Sequence, residues 1–179
     1  MKTFGLDIET NSVKIASIKK DGSAFSVESI AMFPLVSSKG LSSESSVDQQ
    51  MLADSIKECI KNANIKENVV NLSLSENQVF TKIIEMPDLS EKELEAALRY
   101  EMEQYIPMPL DQVRTDWQIL SKNDVGGKKM MSVLIVAASK VLLGRYEAIL
   151  KGAGLVIDGI ETEVISLHRA LFPLVNNPD

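Results

Sequence analysis

The stretch Phe80 to Leu110, FTKIIEMPDLSEKELEAALRYEMEQYIPMPL, sets the tightest limit on the fold, because one unbroken piece encodes a strand, a sharply started helix and a Pro-terminated exit. The β-branched and aromatic run Val79 to Ile84 reads as a strand closed by Met86-Pro87, since Pro cannot continue a ladder and biases its predecessor toward extended geometry. Ser90 is a helix N-cap, Glu93 three residues on completes a capping box, and Leu89 with Leu94 forms the hydrophobic staple. Glu91 and Glu95 suit the positive end of the helix dipole. Leu94, Ala97, Leu98, Met102 and Tyr105 recur at helical spacing and make one apolar face, and Pro107 and Pro109 stop the helix.

Around this piece the pattern alternates between strand and helix. Phe4 to Asp7, Val13 to Lys19 and Phe25 to Phe33 read as a three-stranded meander, with a tight turn at Asp21-Gly22. In the first junction, Glu9 to Ser12, Asn11 is a residue that tolerates a left-handed conformation. Ser37 to Ser46 reads as a polar loop, Val47 to Asn62 as an amphipathic helix and Val69 to Leu74 as a buried strand reached by a helical crossover. Further on, Arg114 to Leu120 is a strand, Ser121 to Lys128 a polar turn, Met130 to Ala137 a very apolar strand and Lys140 to Lys151 a helix stopped by Gly152 and Gly154. Leu155 to Glu161 reads as a returning strand, and Glu163 to Leu171 as a short helix with Val164, Leu167 and Leu171 turned inside. Two segments, CIKNANIKENVVNLSL and ILKGAGLVIDGIE, share a helix, small-residue turn and strand pattern. That is ordinary αβ grammar rather than a repeat.

Composition narrows the function classes. The chain of 179 residues is 45% hydrophobic, enough for a sizeable core in one domain or two small lobes. Its formal charge of -6 and the lack of a dense Lys/Arg cluster argue against nucleic acid and against a polybasic membrane patch. Cys59, the only cysteine, lies on an apolar helix face and reads as a small buried hydrophobe. Asp7 and Glu9 interrupt any signal-peptide core, and no apolar run approaches the ~20 residues of a membrane span, so a cytoplasmic location is expected.

Three pieces together carry a family resemblance: the opening FGLDIETNSVKIASI, the strand MMSVLIVAASK, and the central run with its Met86-Pro87-Asp88-Leu89-Ser90-Glu91-Lys92-Glu93-Leu94 start and Glu101-Met102-Glu103-Gln104-Tyr105-Ile106-Pro107 end. In that order they resemble the PilM family of type IV pilus assembly proteins, actin-like proteins related to the cell-division protein FtsA. The resemblance implies an α/β fold: an actin-like (ribonuclease-H-like) core lobe, residues 1–77 plus 157–179, with an inserted FtsA/PilM-type α/β subdomain, residues 78–156. It implies a cytoplasmic adaptor, peripheral to the inner membrane, that binds the N-terminal cytoplasmic peptide of a PilN-like membrane protein without inserting into the bilayer. The peptide groove would lie between the first lobe and the insert, with Tyr105, Ile106, Met108 and Leu110 as wall residues. An ATP-hydrolysing relative of the sugar and acetate kinases, and the cytoplasmic domain of a type II secretion component, are the alternatives. The chain is expected to hold only the first of two nucleotide-binding halves, either as a fragment or as an unusually short relative.

The family's opening strand leads into an Asp-x-Gly-[Ser/Thr] phosphate loop, and here the Gly position is Glu9. A loop that cradles phosphate needs small residues so that backbone N–H groups can approach the anion. Asp7, Thr10, Asn11, Ser12 and Lys14 are what remains of a degenerate cofactor-binding loop. ATP and Mg are therefore expected at most in a full-length form and not in this chain. Glu161 and Glu163 stand where the family has an acidic residue entering its hinge. No catalytic residue is assigned, because one His among many Ser residues is no evidence for a triad, and no metal site either, because no Cys or second His stands at ligand spacing from His168. Gly126-Gly127-Lys128 lacks the Walker spacing and reads as a hairpin turn, and Trp117 as packing for the surrounding sheet.

Overall fold

The computed structural model describes residues 2–22, 24–35 and 39–176. The chain forms two compact units, one of Met1–Ser75 with Gly144–Asp179 and the other of Glu76–Leu143.

The first unit is built on a mixed five-stranded sheet in the order β3-β2-β1-β4-β8, with β1 at Phe4–Ile8, β2 at Ser12–Asp21, β3 at Ala24–Pro34, β4 at Val69–Leu74 and β8 at Val156–Thr162. The meander pairs antiparallel, whereas β1 with β4 and β4 with β8 pair parallel and need helical crossovers. Helix α2, Ser46–Asn62, supplies the first crossover and buries Leu52, Ala53, Ile56, Cys59 and Ile60. One sheet face is also buried, through Phe4, Leu6 and Ile8 of β1, Val13 and Ile15 of β2, and Val70, Leu72 and Leu74 of β4. Burial pushes the Cys59 thiol pKa up, as for an inert core cysteine. Strand alternation turns Gly5, Asp7, Lys14, Ala16, Asn71 and Ser73 to the other face, over which lies a trough of about 520 Å³. Continuing that face, Ile18, Phe25, Val27, Ile30 and Met32 are 56 to 78% exposed.

The Ser-rich stretch is not simply a loop. Lys39–Ser42 form a helical turn, α1, with Gly40 and Leu41 buried, while Ser37 and Ser38 lie outside the described residues. Gly40 fits because a Cβ there would sit 2.8 Å from the Asp48 carbonyl oxygen and 2.9 Å from the Leu52 Cβ. The left-handed residue expected at Asn11 occurs instead at Asn64, with φ 56°. Asn64 ends α2 as Gly154, φ 81°, ends α4, which spans Lys140–Gly152. In both caps the residue after the left-handed one donates back across the last turn, Ile65 to the Ile60 carbonyl at 3.2 Å and Leu155 to the Leu150 carbonyl at 2.8 Å. The final helix α5, Glu163–Asn176, is longer than expected, and Val164, Leu167 and Leu171 are exposed rather than inside. Its start is fixed by a polar cap, Ile165 N–H donating to the buried Thr162 Oγ1 at 3.3 Å, not by burial of that stripe.

The second unit is an antiparallel sheet in the order β5-β7-β6, with β5 at Val79–Pro87, β6 at Val113–Val125 and β7 at Lys128–Ser139. Strand β5 runs on to Pro87, opposite Met130, as its last residue. Where Ser121 to Lys128 read as one polar turn, β6 continues to Val125 and only Gly126-Gly127, φ 63° and 80°, make the reversal. Helix α3, Glu91–Tyr105, places Leu94, Leu98 and Met102 in one core with Ile84, Met86, Met131, Val133 and Ile135. Trp117 packs against this core, as do Leu89 and Ala97. The start of α3 carries its capping box, with Ser90 N–H and Oγ–H both donating to Glu93 Oε2, at 3.1 and 2.5 Å.

The change of unit falls within α4, at Leu143/Gly144, where the sequence expectation placed it at 156/157. Tyr146, Ile149 and Leu150 of α4 are buried on the first unit's side of that change, and Arg145 donates to the Leu41 carbonyl at 3.4 Å.

Candidate functional site

The β1–β2 loop collects the polar residues expected for a phosphate loop and engages them with one another. Glu9 N–H donates to the Ser12 carbonyl at 2.9 Å, which closes the turn, and Leu35 N–H donates to the Asn11 carbonyl at 2.7 Å, which anchors it to the end of β3. Lys14 extends from β2 to donate to Asp7 Oδ2 at 3.3 Å and, more closely, to Glu9 Oε1. Ser12 Oγ donates to Glu9 Oε2 at 2.9 Å. The Lys14 and Ser12 bonds hold the Glu9 pKa below the usual carboxylate range, and the Glu9 bond holds that of Lys14 up. Asp7 behaves oppositely. Burial raises its pKa despite the Lys14 bond, and its Oδ1 is buried without a hydrogen-bond partner among the described residues.

Of the residues expected to hold a cofactor, Asp7, Ser12 and Lys14 therefore meet around Glu9, while Thr10 and Asn11 lie exposed at the tip. From the far end of the unit, Glu163 brings a third carboxylate, so that oxygens of Asp7, Glu9 and Glu163 lie within 4.8 Å of one another. No metal-ligand spacing marks this grouping in the sequence, because the sheet topology makes it. Glu161 is engaged elsewhere, accepting from Ser166 Oγ at 3.3 Å and pairing with Arg169. The carboxylates of Asp7, Glu9 and Glu163 lie beside a Lys14 ammonium that is already paired, and the Glu9 N–H is spent on the turn. A bare polyphosphate meets like charge at these carboxylates, and an oxygen-donor set of this kind is chemically closer to what a hard cation takes.

The second group lies where α3 ends. Ile106 is the C-cap, extended at φ -74° and ψ 120° as the residue before a proline must be, and its N–H returns to the Met102 carbonyl at 2.9 Å. The four expected wall residues divide. Tyr105 and Met108 are each 38% exposed, whereas Ile106 is 6% exposed and belongs to the core, and Leu110 packs partly against that core. Ile106, expected as a wall residue, sits in the core, because the pre-proline bend that ends the helix also swings this side chain inward. Sequence reasoning missed Lys82, whose Nζ stands 3.4 Å from the centroid of the Tyr105 ring and fixes its orientation.

The sequence matches the family model for type IV pilus assembly protein PilM over residues 5–177. Among solved structures, a PilM-PilN type IV pilus biogenesis complex is similar with a TM-score of 0.77 and 28% identity, over 97% of this chain and 50% of that one. The cytoplasmic domain of EpsL, an inner membrane component of the type II secretion system of Vibrio cholerae, shares the fold at a TM-score of 0.53 and 16% identity, over 89% of this chain and 56% of that one. This chain thus spans about half the length of the solved structures it resembles. With a family match over nearly its whole length, on a mixed α/β fold shared with those proteins, the chain belongs to the PilM family of type IV pilus assembly proteins.

Proposed function

We propose that this chain is the peptide-binding part of a type IV pilus assembly adaptor, and that it receives an extended N-terminal segment of a PilN-like inner-membrane protein. The observation that carries the reading is its similarity to a solved PilM-PilN complex over almost all of its length. Tyr105 and Met108, two exposed apolar side chains at the Pro-rich exit of α3, are the contact residues, and Lys82 keeps the Tyr105 ring in place. An extended peptide gains affinity from main-chain hydrogen bonds and specificity from such apolar positions. The work is binding rather than catalysis. On this reading peptide binding by this chain does not depend on ATP. Among the described residues no helix is long and apolar enough to cross a membrane, and attachment to the inner membrane from the cytoplasmic side comes through the partner.

The test is an NMR titration with a synthetic peptide copying the cytoplasmic N-terminus of the cognate PilN-like protein, without nucleotide. Affinity on the order of micromolar is expected, since ordering the peptide offsets much of the contact energy. Shifts should centre on Lys82, Tyr105 and Met108, and Met108→Asp should weaken binding by about tenfold. Ile106→Asp is the wrong probe, because it places a charge in the core. Shifts confined to the Glu9 loop, or no binding at millimolar peptide, would remove the proposal.

A further inference from the structure

We propose that Glu9 acts as a tethered anion: its carboxylate fills the β1–β2 loop and takes the donors that a bound phosphate would use, so that the loop is closed to polyphosphates by the chain itself. Of the four side chains in the loop that could donate to an anion, Thr10, Asn11, Ser12 and Lys14, two are already spent on Glu9, Ser12 Oγ at 2.9 Å and the Lys14 ammonium. One backbone donor of the loop is spent as well, Glu9 N–H on the Ser12 carbonyl at 2.9 Å. An entering phosphate must therefore displace a charge-assisted bond and approach Asp7 and Glu163, whose oxygens lie within 4.8 Å of those of Glu9. The Glu9 side chain is 39% exposed, so replacing it leaves no core cavity. Its removal frees Lys14 from one of two carboxylates and frees Ser12 Oγ, re-creating an anion site from parts already in place. This inference concerns the loop alone and stands apart from the peptide-binding reading.

Calorimetry of the 179-residue chain with inorganic tripolyphosphate and with Mg-ATP provides the test, with circular dichroism to confirm folding. Wild type should give no saturable binding. Glu9→Gly should bind tripolyphosphate at least about tenfold more tightly, Glu9→Gln should gain part of that because it loses the charge but keeps the bulk, and adding Lys14→Ala to Glu9→Gly should abolish the gain. If Glu9→Gly fails to fold, Glu9→Gln carries the test, joined by the Lys14 ammonium resonance, which should exchange faster in the variant than in wild type, Asp7 remaining its one carboxylate partner. Wild type binding tripolyphosphate as tightly as its variants would overturn the proposal. So would folded variants that gain nothing, or a gain that survives loss of Lys14.

Discussion

The two units of this chain solve the same problem, covering an apolar sheet, in different ways. In the unit of Glu76–Leu143 every element is consecutive, and α3 covers one sheet face, leaving Ile83 on the other 57% exposed. In the other unit the neighbours β1, β4 and β8 come from distant parts of the chain, one face is buried, and the other shows Phe25, Val27, Ile30 and Met32 to solvent. Local signals such as a cap, a proline or an alternation suffice for the first kind of unit. For the second, apolar residues mark strands but do not say which of the two faces is covered.

The largest expected effect tests whether the consecutive unit has a core of its own. Leu98, 1% exposed, replaced by Ala should cost ~2 to 5 kcal/mol in urea unfolding, with hydrogen exchange rising in α3 and β5 to β7 ahead of β1, β2 and β4. An equal rise in both sheets would erase the contrast between the units. In the other unit Gly40→Ala should cost about 1 to 3 kcal/mol, because the new methyl meets backbone at 2.8 Å. A thermal midpoint unchanged by that substitution would mean that α1 is not packed as described. Ser90→Ala should cost ~1 kcal/mol by removing one arm of the capping box, readable as a shift in urea midpoint at constant slope.

The smallest effect concerns the buried carboxylate. Asp7 has its pKa raised in the folded chain, so the folded state holds this proton more tightly than the unfolded one. Its contribution then becomes destabilising as pH rises from the unfolded value through the folded one. Asp7→Asn should accordingly be slightly more stable than wild type at neutral pH, and the difference should vanish as pH falls below the carboxylate range. A variant less stable at neutral pH would show that the Lys14 pairing outweighs burial.

Much of the fold was legible because its signals were local: Ser90, Glu93 and the prolines around α3, and the strand pattern of Val69 to Leu74, predict what is seen. The misses share a cause. Gly40 hides a close helix approach that only residues further along the chain reveal, since Asp48 and Leu52 are what a side chain there would meet. Ser121 to Asp124 form a solvated hairpin arm, whose polar side chains on both faces read as a turn. Val164, Leu167 and Leu171 keep a helical stripe that is exposed, because periodicity reports amphipathicity and not what lies against it. At the candidate loop the substitution of Glu9 could be read directly, but its capture of Lys14 and Ser12, and the arrival of Glu163, depend on the folded sheet.

The parallel pairing of β4 with β8 also sets an order of events. Val69 sits beside Val156, so that edge of the sheet must wait for a strand made after the whole of the other unit. A ribosome adds about 5 to 20 residues per second, long compared with the microseconds a hairpin needs, so β5 to β7 can be complete while β4 still has an open side. Long loop closure then adds its entropy to the last step. Pulsed hydrogen exchange during refolding should accordingly find the amides of α3 and β7 protected before those that link β4 to β8, the interrupted sheet closing last.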